Sequence, residues 1–272
     1  MAVAAAELSP QARRFESERI HASPTVLLIA AIGLAVHGVG RLVGFSQAGA
    51  TVTCVGTLML VLAIVLHVDH LSFRIGRSAV VLVILGTVLH GVGSLLSALG
   101  VSNRSPVWFY GAGWVIGAVG VAMVAIHKER QMQSTLAEYA AGAPWQARVT
   151  VHASFLSLIT AATGLVLYGT GALVAAGAGG RSSYILMCVG AVLIAIGVIS
   201  HVEHLVSRIG LPAVIAAILA PMFFCLATAP DAFRPEDGAS QARFLSVCLG
   251  IGALLASLAC ALAFGKKLRT DR

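Results

Sequence analysis

Imidazole and carboxylate side chains ligate borderline transition metals, and this chain keeps them in two matched copies. His67-Val-Asp-His-Leu-Ser-Phe-Arg-Ile-Gly76 recurs as His201-Val-Glu-His-Leu-Val-Ser-Arg-Ile-Gly210, with seven of ten positions identical and one Asp/Glu exchange. A second match, Ile20-His-Ala-Ser23 with Val151-His-Ala-Ser154, adds one histidine to each copy. The first set is His21, His67, Asp69 and His70; the second is His152, His201, Glu203 and His204. Residues three apart share a helix face, which groups His67 with His70 and His201 with His204. Asp69 points about 100° away from His70, so it would meet a neighbouring helix or orient an imidazole from behind. The set predicts a site for iron, zinc, copper or manganese, as two mononuclear centres or one dinuclear centre. The six histidines are its ligands, and Asp69 and Glu203 are ligands or orienting partners. A metal-bound water or oxygen would supply redox or hydrolytic chemistry on a lipid-soluble substrate. The plain alternative is interfacial anchoring, with His and Arg on lipid phosphates and helix C-terminal carbonyls.

A second constellation lies deeper in apolar sequence. His37-Gly-Val-Gly-Arg41 is echoed by His90-Gly-Val-Gly-Ser94. Glycines beside an intramembrane histidine leave room for a flat macrocycle, so His37 and His90 are candidate axial ligands of haem b. Arg41, one turn beyond His37, would face a propionate. His67 and His127 lie near one edge and are candidates for a second haem. In general outline the arrangement resembles di-haem four-helix membrane cytochromes, without a family motif, and implies electron transfer, with quinone as a partner. The second half departs from the pattern: Tyr168 stands where His37 would be, Phe224 where His90 would be, and Ala261–Phe264 matches the region of His127. The two ideas compete for His67. The simpler account is that Gly-x-Gly packs helices while His37 hydrogen-bonds His90 or a carbonyl.

These residues need elements to hold them, and composition says which. The chain has 272 residues, 58% hydrophobic and only 11% charged, with a mean hydropathy of +0.92. That balance belongs to an integral membrane protein surrounded by a lipid bilayer. Eight apolar segments reach the ~20 residues that a bilayer core requires: 25–45, 51–71, 78–99, 107–127, 152–175, 184–206, 211–229 and 243–265. Turns after even-numbered spans and the two terminal arms hold 13 of the 18 Lys and Arg, so both termini are expected in the cytoplasm. The matched peptides lie 134 residues apart, about half the chain, which reads as an internal duplication.

The expected fold is therefore all-α, with eight transmembrane helices in two parallel four-helix repeats. A cytoplasmic arm (1–24) contains an amphipathic helix over 10–22. The first repeat (25–127), a polar linker (128–149), the second repeat (150–265) and a basic tail (266–272) follow. The alternating charge points to a multi-pass protein of the inner (plasma) membrane. The basic residues sit at segment ends, so the isoelectric point near 9.6 reflects topology and not nucleic-acid binding. No P-loop, dinucleotide fingerprint or nucleophile elbow is present. Five cysteines in apolar segments, none in a Cys-x-x-Cys pair, exclude a thiolate zinc motif. Beside the metal and haem readings stands a third: a carrier or proton-coupled transporter using the repeat interface, or an accessory subunit bound to other membrane subunits.

Overall fold

The computed structural model describes residue 20 and residues 22–101, 104–141, 151, 153–233 and 238–270. Ten helices occupy them: α1 (Pro24–Val43), α2 (Gln47–Val65), α3 (Val68–Ile75), α4 (Arg77–Ala98), α5 (Ser105–Ala140), α6 (Phe155–Gly177), α7 (Arg181–Ile199), α8 (Val202–Ile209), α9 (Leu211–Phe233) and α10 (Gly238–Thr270). No strand occurs among the described residues. All but α3 and α8 are long and apolar enough to cross a membrane. The chain is thus an all-helical protein with eight membrane-spanning candidates.

Local chemistry sets where the spans begin. Ser23 Oγ accepts the Val26 N–H at 3.2 Å, and Pro24 takes the first helical position. Ser154 Oγ accepts the Ser157 N–H at 3.0 Å. The shared His-Ala-Ser tripeptide therefore marks two helix starts, its serine satisfying a backbone donor that the helix leaves open. His21, His152 and the cytoplasmic arm, apart from residues 20 and 22–24, lie outside the described residues.

Several boundaries differ from expectation. Spans 51–71 and 184–206 are each divided: α2 stops at Val65 and α7 at Ile199, and separate eight-residue helices follow. At the breaks His67 and His201 adopt nearly the same conformation, φ −118° and ψ 12° against φ −124° and ψ 15°. Gly76 and Gly210 then end α3 and α8 at φ 89°, a left-handed conformation that glycine accepts without a Cβ clash. In contrast, α5 continues to Ala140, so much of the linker 128–149 is helix, and α10 runs past 265 to Thr270. Helix α9 passes through Pro221 and Pro230 to Phe233. Residues 234–237 lie outside the described ones.

The eight long helices close into a ring. Each packs against two others in the order α1, α2, α4, α5, α6, α7, α9, α10, and α10 returns to α1. Glycines let the backbones touch. A Cβ on Gly56 would run into the Gly33 carbonyl and the His37 amide. A Cβ on Gly190 would meet the Gly164 carbonyl and the Tyr168 amide in the same way. Between hairpins, Gly38 meets Gly250 and Gly111 meets Gly169. In lipid such contacts gain van der Waals energy where burial of apolar surface gains little. Aliphatic side chains such as Leu58, Val81, Ile215 and Leu219 face outward from the ring. The α10–α1 seam is also pinned by Ser257 Oγ donating to the Ala31 carbonyl at 2.7 Å, and by Ser246 Oγ donating to the Arg41 carbonyl.

Candidate functional site

A ring of eight helices is too wide to be filled by aliphatic side chains alone, and among the described residues three cavities follow its axis. The largest, about 710 Å³, lies toward the end opposite α3 and α8, and all eight long helices contribute to its wall. A second, about 370 Å³, lies deeper and is almost wholly apolar except for His37, His90, Thr57 and Thr87. A small space of about 60 Å³ sits between them, lined by His37, Arg41, Trp114, Tyr168, Phe224, Leu249 and Ala253. Arg41, Trp114, Tyr168 and Leu249 also line the large cavity, while His37, Trp114, Phe224 and Ala253 also line the deep one. The three spaces follow one another along the axis, with an aromatic constriction in the middle.

Five rings form that constriction. His37 and His90 have centroids 5.6 Å apart. Trp114 presents an edge to His90 at 5.8 Å and to Tyr168 at 5.5 Å. Tyr168 and Phe224 are 6.5 Å apart. Edge-on packing of this kind suits the ring quadrupoles. The rings of Tyr168 and Phe224 stand beside the His37/His90 pair. His37 Nδ1 lies 3.1 Å from Thr57 Oγ1, whose own hydrogen goes to the Thr53 carbonyl at 2.9 Å. His90 packs on Tyr110 at 4.7 Å and lines the deep cavity.

Arg41 stands directly above this cluster. It is 9% exposed. Its guanidinium lies over Tyr110, 5.0 Å from the ring centroid, and 5.9 Å from that of Phe45. Among the described residues it makes no hydrogen bond or ion pair through its side chain. Arg104, also on the large cavity, is occupied differently: its guanidinium donates to the carbonyls of Ala176 and Gly177, capping the end of α6.

The described members of the His/carboxylate set, His67, Asp69, His70, His201, Glu203 and His204, lie at the other end of the ring. His67 and His70 rings are 4.7 Å apart, and His201 and His204 rings 5.1 Å apart. Each pair shares a face, as the spacing predicts. Among the described residues no group of three His, Cys, Asp or Glu converges on a common point. Asp69 and Glu203 are exposed in the first turns of α3 and α8. There a carboxylate opposes the partial positive charge of the helix N-terminus, and Arg74 and Arg208 in the last turns oppose the negative end. The duplicated peptide thus has a helix-corner role that sequence reasoning overlooked. Burial, then His70 and Arg74, holds His67 below the ordinary imidazole range. His201 is lowered by burial, then by His204, Lys128 and Arg208. Arg208 is lowered by burial and by the charge of Arg74, which brings the ends of α3 and α8 into electrostatic reach of each other. His127 joins neither cluster: it packs on Gly76, and its Nε2 lies 2.9 Å from the side-chain nitrogen of Gln131.

The fold therefore brings together His37, His90 and Arg41, which the sequence singled out, and adds Tyr110, Trp114, Tyr168 and Phe224, which it did not assign to a site. The available signal was positional: Tyr168 and Phe224 stand where the sequence match of the two halves aligns them with the two histidines, and Trp114 follows Gly111-Ala-Gly113. A further pair was invisible in sequence. Cys188 and Cys225 place their sulfurs 3.0 Å apart between α7 and α9. No protein-family model, curated protein or solved structure matches this chain.

Proposed function

We propose that the chain is a membrane carrier in which two four-helix halves, one to each side of an axial path, enclose a binding site at their interface. The observation that carries this reading is the central cavity walled by all eight long helices and continued, through the His37–Trp114–Tyr168 constriction, by a second cavity. Parallel-repeat carriers bind substrate where their halves meet and expose it alternately to each side. Matching details support the two-half construction: the corner helices α3 and α8, the glycine contacts at Gly56 and Gly190, and two lysine ties. Lys128 on α5 donates to the Ala153 carbonyl before α6, and Lys267 on α10 donates to the Ile20 carbonyl before α1. In this reading both termini face the cytoplasm, and the membrane is a bacterial inner membrane. Purified protein reconstituted into sealed vesicles and given an inward gradient of a labelled organic solute is the test. Uptake above empty vesicles, lost in Trp114→Ala, supports the carrier; no uptake across chemically varied solutes rejects it.

One observation favours a second reading. Two metal–nitrogen bonds of about 2 Å put opposed imidazole centroids roughly 6 Å apart, and His37 and His90 stand at 5.6 Å. Gly113 and Gly117 line the same cavity, and a Cβ on Gly117 would meet nothing within 4 Å. In this reading His37 and His90 would hold haem b, which would supply one-electron transfer. An optical spectrum before and after dithionite decides it. Sharp reduced bands, bleached by His90→Ala, would establish haem, and their absence removes this reading.

A further inference from the structure

We infer that Arg41 anchors the carboxylate of an amphipathic organic monoacid, whose apolar body lies in the axial cavity against Tyr110 and Trp114. The inference rests on the carrier reading for its purpose and names the class of solute carried. A guanidinium within a membrane span is costly and is kept where it meets an anion or a polar path. Arg41 is more than nine-tenths buried, and among the described residues its side chain makes no hydrogen bond or ion pair. Its neighbours are the faces of Tyr110 and Phe45. An aromatic face steadies a cation yet leaves all five N–H donors free for a planar, bidentate partner, and a carboxylate has that shape.

Charge fixes the valence. Arg104 is exposed at the cavity's outer end, its Nη1 donating to the Ala176 and Gly177 carbonyls, so Arg41 is the buried guanidinium on the cavity wall among the described residues. One positive charge neutralises a monocarboxylate; a phosphate dianion or a dicarboxylate would keep an uncompensated charge in a low-dielectric site. The wall settles the rest of the ligand. Beyond Arg41 the path runs over Trp114, Tyr168 and Phe224 into a cavity of about 370 Å³ lined mainly by aliphatic and small residues. Such a wall takes an aromatic or branched apolar group, as ligand sites with one oriented polar contact do.

Trp114 borders all three cavities and reports occupancy by its fluorescence. The background is Trp108→Phe/Trp145→Phe, which leaves Trp114 as the sole indole. The probes are 4-nitrobenzoate, a contact quencher, and its neutral counterpart 4-nitrobenzyl alcohol. Saturable quenching by the acid is expected, with apparent affinity about tenfold or more weaker in Arg41→Gln, as for loss of a charge-assisted hydrogen bond. Arg41→Lys, which keeps the charge but not the fork, should fall between, and helical circular dichroism checks that each variant folds. No saturable quenching by the acid, equal quenching by acid and alcohol, or an Arg41→Gln titration unchanged from the parent would overturn the site. Intact binding without vesicle uptake of labelled benzoate would reject the carrier and leave the Arg41 site standing. Uptake of benzoate that Arg41→Gln leaves unchanged would reject the site and keep the carrier.

Discussion

Asp69 and Glu203 show how one residue type serves two readings. Each sits in the first turn of a short helix, where a negative charge is worth about 0.3–1 kcal/mol. If that is their whole role, Asp69→Asn with Glu203→Gln lowers stability by about 0.6–2 kcal/mol in all and leaves the metal content of the purified protein unchanged. If they ligate or orient metal with the paired histidines, the same double variant strips iron, zinc, copper or manganese, and elemental analysis of chelator-free protein reads the difference. The histidines add a pH signature. His67 and His201 are held below the ordinary imidazole value in the folded protein. The unfolded chain therefore binds protons more readily, and stability present above about pH 6.5 is lost as the pH falls. The unfolding temperature should drop from about pH 7.5 to about pH 5, and drop less in His67→Gln/His201→Gln. Equal slopes would assign the acid sensitivity to other groups.

At the scale of elements, glycine contacts decide how closely the helices approach. Gly56 and Gly190 lie on backbone of the partner helix, so no rotamer change could relieve an added side chain. Gly56→Val or Gly190→Val should each cost about 1–3 kcal/mol through overpacking, or more if the hairpin opens. Gly117→Ala, whose new Cβ meets open space, should leave the helix at least as stable. Unfolding in mild detergent, followed by circular dichroism, separates the two outcomes. The corner helices carry the other element-scale lesson. A hydropathy window merges α2 with α3 and α7 with α8, because the apolar run continues through His67 and His201. The break itself lies in two backbone conformations, one at each histidine, and in the positive φ of Gly76 and Gly210.

For the whole molecule, ring closure is the decisive feature, and it makes a mechanical prediction. Ser257 reaches the Ala31 carbonyl across the α10–α1 seam. In a chain with its own five cysteines replaced, Ala31→Cys with Ser257→Cys should cross-link within one molecule, seen as a mobility shift on a denaturing gel. If transport needs the halves to rock, the cross-link blocks uptake and a reductant restores it. A cross-linked protein that transports normally would place the moving parts elsewhere.

Length and polarity were enough to number the apolar spans, because a bilayer fixes how long and how apolar a spanning helix must be. The two serines of the repeated His-Ala-Ser peptide show their capping role in the structure, where they open α1 and α6. The residues His37, His90 and Arg41 stood out because polar groups in apolar sequence are rare. Their assembly did not follow from the chain. His37 meets His90, and Trp114 meets Tyr168, only because α1, α4, α5 and α6 take particular places around the ring. Helix–helix order in lipid is set by shape at glycine contacts between distant segments, and hydropathy carries no information about it. The same holds for Cys188 and Cys225, and for the cavities, which exist because eight helices close on one another and leave space along their common axis.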